Sequence, residues 1–198
     1  MIITRTPLRV SIGGGGTDLP SYYERFGGFV ISAAINQYIY IALHKTFVPN
    51  YIIKYSSMET VDQRTEIKHP IVREAFRIHD VPPYTEMVSM ADIPAGTGLG
   101  SSGAFNVGLL RGIYAMKREH VTTHALADEA CHIEIDLLRE PIGKQDQYIA
   151  AFGGLICIEF EKDGKTKVSP LRISTETLHD LEDNLLMFFT GYSRSASA

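Results

Sequence analysis

The segment PAGTGLGSSGA, residues 94–104, has glycine at every second position, then two serines, then an apolar stretch with helical spacing. A loop of this kind leaves backbone N–H groups free at the positive end of a helix dipole, where an anion binds. The serine hydroxyls could contact phosphate or a magnesium ion. The alternative is a tight turn with a serine N-cap. The serine pair at the start of the helix favours phosphate binding.

The glycine spacing of this loop separates it from two common nucleotide-binding motifs. It is not a Walker A loop, because no Gly-Lys-Ser/Thr follows the glycines. It is not a Rossmann fingerprint, because the spacing is GxGxG, which disfavours a nicotinamide dehydrogenase.

A second glycine run, GGGGTD at residues 13–18, follows the strand-like segment MIITRTPLRVSI. Consecutive glycines cost conformational entropy, so they indicate unusual backbone angles or close approach to another group. Asp18 at the end of the run could form an Asx turn or cap a helix in LPSYYERF, and these roles could coexist with ligand binding.

Two acidic residues and one arginine are candidates for chemistry. Glu134 borders an apolar helical stripe formed by Leu126, Ala130, Ile133 and Leu137. A carboxylate there is costly unless it meets a cation, although it could also reach a Lys or Arg at the stripe edge. Asp146 follows a break at Pro141 and Gly143 and could simply cap a helix. Arg9 could be a salt-bridge partner at a strand end.

These motifs resemble those of the GHMP kinases. PAGTGLGSSGA is similar to the P-x-G-x-G-L-G-S-S-A signature of that superfamily, and TPLRVSIGGGGTDLPSYYERFGG resembles its first motif. The G-G-G-T-D form is similar to the branch of D-glycero-D-manno-heptose 7-phosphate kinases and related sugar kinases. The third family motif, a glycine-rich segment of a C-terminal domain, is not found in the chain.

The resemblance implies a role for each candidate. The ATP loop would comprise Pro94, Gly96, Gly98, Leu99, Gly100, Ser101, Ser102 and Gly103, and the sugar would meet Gly15, Gly16, Thr17, Asp18 and Lys144. Glu134 would bind Mg²⁺ together with Ser101 or Ser102. Asp146 would be the base that accepts a proton from the sugar hydroxyl, and Arg9 would keep it ionised. Lys144 and Arg194 are suggested by position alone as contacts to a phosphate already on the substrate.

The implied reaction is ATP- and Mg²⁺-dependent phosphorylation of a sugar phosphate, with the anomeric hydroxyl of D-glycero-D-manno-heptose 7-phosphate as the favoured acceptor. Such a step would supply nucleotide-activated heptose. One alternative is another substrate of the same superfamily, such as a fucose-like sugar or a non-sugar alcohol. Another is a sensor that binds sugar and nucleotide without turnover, which the joint presence of Arg9, Glu134 and Asp146 disfavours.

The elements that must position these residues indicate an α+β fold. Strands are predicted at IITRTPLRVSI, GGFVISAAI, YIYIALHKT, YIIKYSS and YTEMVSMADI, and GLICIEFEK and KTKVSPL are predicted to form a hairpin. Helices are predicted at HPIVREAFRIHD, at about 101–117 and 123–139, and at KQDQYIAAF; a final strand is predicted at NLLMFFTG. The resemblance implies a ribosomal protein S5 domain 2-like domain, with helices packed on a mixed sheet.

Composition narrows the class of protein further. The chain has 198 residues, 44% hydrophobic residues and a net charge of −4, which suits one domain that binds small molecules rather than nucleic acid or membrane. Its two cysteines, Cys131 and Cys157, suit reduced core thiols in a cytoplasmic protein. We expect an N-terminal ATP-binding domain over residues 1–190 and the start of a missing C-terminal domain at 191–198. Assembly is left open, with a homodimer as one alternative.

Overall fold

Seven strands form the framework of the described part of the protein. The structure is a computed structural model that describes residues 1–188 and 191. The strands are β1 (Ile2–Gly13), β2 (Gly28–Lys45), β3 (Tyr51–Lys54), β4 (Met58–Val61), β5 (Thr85–Ala91), β6 (Leu155–Phe160) and β7 (Thr166–Pro170). They form one sheet in the order β4-β3-β5-β2-β6-β7, and β1 pairs with β2. Among these strands, β3 and β5 pair in parallel and the other pairings are antiparallel.

The helices lie between the strands in the chain. They are α1 (Pro20–Phe26), α2 (Pro70–Ile78), α3 (Ser101–Lys117), α4 (Thr123–Cys131), α5 (Gln145–Phe152) and α6 (Thr175–Asp183). A 3₁₀ turn covers Arg64–Glu66, and a π-helical segment, His132–Leu137, continues α4. Helices α3 and α5 pack against β1 and β2, and α4 packs against both helices. The predicted α+β class and mixed sheet are confirmed.

Strand β2 is the centre of the sheet. One of its edges pairs with β1 from Ile31 to Leu43, while its other edge pairs first with β6 and then with β5. The sequence predicted two strands here, at GGFVISAAI and YIYIALHKT, and this was wrong. Asn36 and Gln37 do not break the strand, because polar side chains can extend from a strand and no Gly or Pro lies between Phe29 and Lys45 to interrupt it.

Helix α3 lies directly on the sheet because two of its residues lack a side chain. A Cβ on Gly108 would come within 2.7 Å of Thr6 Oγ1, and one on Gly112 within 2.8 Å of Leu43 Cδ1. Thr4 Oγ1 also donates a hydrogen bond to the Gly108 carbonyl at 2.9 Å. These contacts fix the helix, and therefore its N-terminus, relative to β1.

Most of the other predicted elements are confirmed, and two more differ. The helix predicted at about 123–139 is α-helical only to Cys131, after which the backbone widens to a π-helix in which Leu138 N–H donates to the Ile133 carbonyl at 3.0 Å. The predicted strand NLLMFFTG is not formed over residues 184–188, while Phe189 and Thr190 lie outside the described residues. Arg194 and the proposed domain start at 191–198, apart from Gly191, also lie outside them.

Both cysteines are free thiols, and Cys131 is buried. Among the helices of the described residues, none is long and apolar enough to cross a lipid bilayer.

Candidate active site

The predicted phosphate loop leads directly into helix α3. Gly96, Gly98 and Gly100 all have positive φ values, of 80°, 78° and 75°. The N-cap of α3 is Gly100, and no side chain forms a capping hydrogen bond there. The alternative of a serine-capped turn is therefore not what the chain forms. The N–H groups of the first turn are left for an acceptor outside the helix, which is the arrangement that binds anions.

Arg9 and Asp146 form an ion pair beside this helix start. Arg9 Nε and Nη2 each lie 2.7 Å from Asp146 Oδ1, and Arg9 Nη1 donates to the Gly98 carbonyl at 2.6 Å. The backbone of Gly100 lies against both side chains, since a Cβ there would be 3.0 Å from Arg9 Cγ and 3.2 Å from Asp146 Cγ. The fold thus brings together a carboxylate and a cation, 137 residues apart, at the glycine loop.

Glu134 lies in a buried polar cluster next to that loop. Its side chain is almost fully enclosed, at 1% exposure, on the π-helical segment. Ser102 Oγ donates to its Oε2 at 2.6 Å, while Asn106 Nδ2 and Gln147 Nε2 each donate to its Oε1 at 3.0 Å. The partner predicted as an alternative, a Lys or Arg at the stripe edge, is not among these contacts. The carboxylate is instead held by three uncharged donors.

The pKa values of both carboxyl groups lie above their ordinary values. Burial is the main cause for Glu134, with a further increase from the charge of Asp146; the bonds from Ser102, Gln147 and Asn106 act in the opposite direction. Burial also raises the pKa of Asp146, the neighbouring Arg9 lowers it, and Asp18 raises it. Arg9 therefore favours the ionised form of Asp146, but burial outweighs this effect.

Asp18 is turned into the protein and is only 2% exposed. Gln145 donates to it twice, from its backbone N–H to Oδ2 at 3.1 Å and from Nε2 to Oδ1 at 3.3 Å. The Gly16 N–H donates to Oδ1 at 3.2 Å. An Asx turn would use the N–H two residues after Asp18, whereas Gly16 lies two residues before it. Helix α1 has Leu19 at its N-cap and no side-chain capping bond. The two predicted local roles of Asp18 were therefore wrong, and its contact with a sugar stays a prediction.

The remaining residues of the predicted sugar site have different surroundings. Thr17 Oγ1 lies 2.8 Å from the Gly14 carbonyl and 3.0 Å from the Phe29 carbonyl, so it ties the glycine run to β2. Lys144 Nζ donates to the Gly164 carbonyl at 2.9 Å and lies 5.2 Å from the centre of the Tyr23 ring. Gly15 differs from both: in the described part of the chain nothing lies within 4 Å of a Cβ built on it.

Three successive residues at the start of α5 connect these groups. Gln145 contacts Asp18, Asp146 contacts Arg9, and Gln147 contacts Glu134. The predicted sugar loop, base and metal ligand are therefore attached to one helical turn. Sequence reasoning identified Asp146 but missed Gln145, Gln147 and Asn106. The signal for the two glutamines was the polar pattern QDQ, which resembles an ordinary helix start, and Asn106 had no local signal.

Ser102 and Glu134 supply the donor atoms expected of a magnesium site. In the described part of the chain, no cluster of three or more His, Cys, Asp or Glu side chains could hold a metal by itself. Mg²⁺, however, commonly takes only one or two protein oxygens and completes its shell with phosphate and water. The adjacent hydroxyl and carboxylate fit that pattern.

A family model and a named relative both relate this chain to kinases. Residues 62–154 match the family model described as GHMP kinases N terminal domain. A D-glycero-alpha-D-manno-heptose 7-phosphate kinase of Campylobacter jejuni is 31% identical over 207 residues, which cover 98% of this chain and 61% of the relative. The chain thus spans less than two thirds of that relative's length.

Two solved structures have the same fold. A D-glycero-D-manno-heptose 1-phosphate kinase from Bacteriodes thetaiotaomicron superposes with a TM-score of 0.85 at 26% identity, covering 92% of this chain and 63% of the other. A putative sugar kinase from Campylobacter jejuni superposes with a TM-score of 0.76 at 29% identity, covering 91% of this chain and 61% of the other.

Proposed function

Since the chain carries a GHMP kinase N-terminal domain, we propose that the protein transfers the γ-phosphoryl group of ATP to a hydroxyl of a sugar phosphate. The observation that carries the proposal is the Arg9–Asp146 pair, which lies against Gly100 at the uncapped start of α3. A base beside a phosphate-binding helix start is what phosphoryl transfer to a hydroxyl requires.

In the proposed reaction, the carboxylate of Asp146 accepts the proton of the attacking hydroxyl. The sugar oxygen forms a bond to the γ-phosphorus as the bond to the β–γ bridging oxygen breaks, and ADP leaves with that electron pair. Backbone N–H groups of residues 101–103 and the guanidinium of Arg9 stabilise negative charge on the phosphoryl oxygens. The reaction depends mainly on alignment and charge neutralisation, so these few groups suffice.

Ser102 and Glu134 would hold the magnesium ion, which neutralises charge on the phosphate oxygens when bound. Support comes from the chemistry of the pair: the Ser102 hydroxyl is 2.6 Å from a Glu134 carboxylate that has no cationic partner among its hydrogen bonds in the described residues. Because burying a carboxylate without a cation is unfavourable, Glu134 is suited to bind one supplied with the nucleotide.

We propose the run Gly13–Gly16 as the surface that meets the sugar. Gly13 and Gly15 have ordinary φ values, and no described atom lies within 4 Å of a Cβ built on either. The fold itself would accept a side chain at both positions, so the glycines are better explained by close approach of a ligand. Asp18 would contact this ligand only if it gave up a hydrogen bond from Gln145 or Gly16 and accepted one from the ligand instead.

The substrate proposed is D-glycero-D-manno-heptose 7-phosphate, phosphorylated at its anomeric hydroxyl. The name of the 31% identical relative supports this choice, whereas the structure at 26% identity is named as a heptose 1-phosphate kinase. The candidate substrates can be distinguished with a panel of phosphorylated and free heptoses and hexoses. Each sugar is offered with ATP and Mg²⁺ to the full-length protein, and its turnover is measured. Preferential turnover of a fucose-like sugar or a non-sugar alcohol would contradict the heptose assignment.

The variant Asp146→Asn tests the reaction itself. We expect kcat to fall by about 10²- to 10⁴-fold, because the amide cannot accept the proton. Product is measured in a coupled ADP assay, and folding is checked by circular dichroism. Asp136→Asn is the matched control, since Asp136 is exposed and pairs with the neighbouring His132. Unchanged turnover in Asp146→Asn would remove Asp146 from its proposed role.

A further inference from the structure

Gln145 connects strand β1 to the glycine run through a chain of hydrogen bonds. Ser11 Oγ donates to Gln145 Oε1. Gln145 Nε2 then donates to Asp18 Oδ1 at 3.3 Å, and the backbone N–H of Gln145 donates to Asp18 Oδ2 at 3.1 Å. The side-chain amide of Gln145 thus uses both of its ends on residues more than 120 positions away in the sequence.

Asp18 replaces a conventional N-cap for helix α5. The residue at the N-cap position, Lys144, makes no side-chain capping bond, and the first helical N–H, that of Gln145, is instead satisfied by the Asp18 carboxylate. A negative charge at this end of a helix is stabilising. The contact is also close: a Cβ on Gly143 would lie 1.9 Å from Asp18 Oδ2, so a side chain at this position would displace the Asp18 carboxylate.

Asp146 is the next residue along this first turn. Its bond to Arg9 ties it to β1, the strand that also carries Ser11. The orientation of the helix start determines where the Asp146 carboxylate lies relative to any bound hydroxyl. Reacting groups must be aligned closely, and a displacement of about 1 Å can cost 10²-fold in rate.

We propose that Ser11, Gln145 and Asp18 are positioning residues, which fix the first turn of α5 and so align Asp146 for its reaction. The inference rests on the proposed function of Asp146. It assigns Asp18 a role that does not need a sugar contact, and it assigns roles to Ser11 and Gln145 that need contact with neither substrate.

The test uses the full-length protein and the variants Ser11→Ala and Gln145→Leu, each of which removes the bond between these two side chains. We expect kcat to fall by about 10- to 100-fold in both. The KM values for ATP and sugar should stay within about threefold, because alignment of the base affects the chemical step rather than binding.

Ser32→Ala is the matched control. Ser32 is the cross-strand neighbour of Ser11 on β2, and its hydroxyl donates a hydrogen bond to the Val10 carbonyl at 3.3 Å. Loss of this hydroxyl should leave kcat unchanged. Hydrogen exchange provides a second readout that needs no activity: the amides of residues 145–147 should exchange faster in Ser11→Ala than in Ser32→Ala.

The outcomes separate this inference from the proposed function. If the wild-type protein phosphorylates a sugar and both variants keep its kcat and its exchange rates, the positioning role is wrong while the kinase proposal stands. A rise in the sugar KM at constant kcat would mean that Ser11 and Gln145 bind substrate, which also overturns it. If the wild-type protein has no kinase activity but exchange accelerates as expected, the function fails and the structural role of the network remains.

Discussion

Asp146 and Glu134 are neighbouring carboxylates whose hydrogen-bond partners differ in charge. Asp146 is partly exposed and has a guanidinium 2.7 Å away. Glu134 is buried, and its three hydrogen-bond donors are a hydroxyl and two amides, none of them charged. Asp146 thus has its counter-charge within the chain, whereas the described contacts of Glu134 include none. The proposed base therefore has a counter-charge in the free protein, whereas the proposed metal ligand would gain one only when a cation binds.

Among the variants that compare the surroundings of the two carboxylates, Glu134→Gln should have the largest effect, and it should change stability and activity in opposite directions. Without divalent cation, the variant should be more stable than the wild type by about 1 kcal/mol or more, because it removes a buried charge. Its kinase activity should fall on the order of 100-fold or more, because a ligand of the proposed metal is lost. Urea unfolding in EDTA measures stability, and a coupled kinase assay measures activity. The control is Glu140→Gln, a substitution at an exposed position.

The effect of Glu134→Gln on the free energy of unfolding should depend on pH. The pKa of Glu134 is raised in the folded protein, mainly by burial, so a contribution to stability that is present at acid pH is lost as the pH rises through that pKa. The stability gained by Glu134→Gln should therefore grow from acid towards neutral pH. A gain that is absent, or that shrinks as pH rises, would contradict a buried and unbalanced carboxylate.

A smaller effect is expected for Arg9→Met, which removes the counter-charge of Asp146. We expect kcat to fall by about 10- to 100-fold. Because Arg9 lowers the pKa of Asp146, the acid limb of the kcat profile should move to higher pH. Arg5→Met is the control, since Arg5 lies on the same strand and contacts the Tyr38 ring instead. An acid limb that stays in place would show that Arg9 does not control the ionisation of Asp146.

The smallest effect is expected for Gln147→Leu, which removes one neutral donor from Glu134. The pKa of Glu134 should rise further, since the bond from Gln147 lowers it. The concentration of Mg²⁺ needed for half-maximal activity should rise by about tenfold, as is common when a group that orients a metal ligand is lost. A Mg²⁺ titration of activity measures this, and an unchanged midpoint would argue against Glu134 as a metal ligand.

The sequence predicted the parts of the site that are continuous in the chain. Glycine spacing and the following apolar periodicity identified the loop and the start of α3 at Ser101, and the apolar stripe identified Glu134 as unusual. The pairing of Arg9 with Asp146 came only through family resemblance, because no local pattern connects residues 137 positions apart.

Other features had no sequence signal that local reasoning could use. Asn106, Gln145 and Gln147 look like ordinary polar helix residues, and their importance depends on partners that only the fold brings near. The π-helical segment was missed because the side-chain pattern of residues 123–139 suits a regular α-helix. The length of β2 was missed because two adjacent polar amides, Asn36 and Gln37, resemble a break between strands, although neither residue prevents an extended backbone.

The first turn of α5 carries a geometric consequence beyond its individual bonds. Gln145, Asp146 and Gln147 point in different directions around the helix axis, and each is anchored to a separate segment of the chain. Three anchors that do not lie on one line restrict both the rotation and the translation of the turn. This turn therefore links the parts of the site proposed to hold the nucleotide, the sugar and the metal, and a shift of the turn would move all three contacts together.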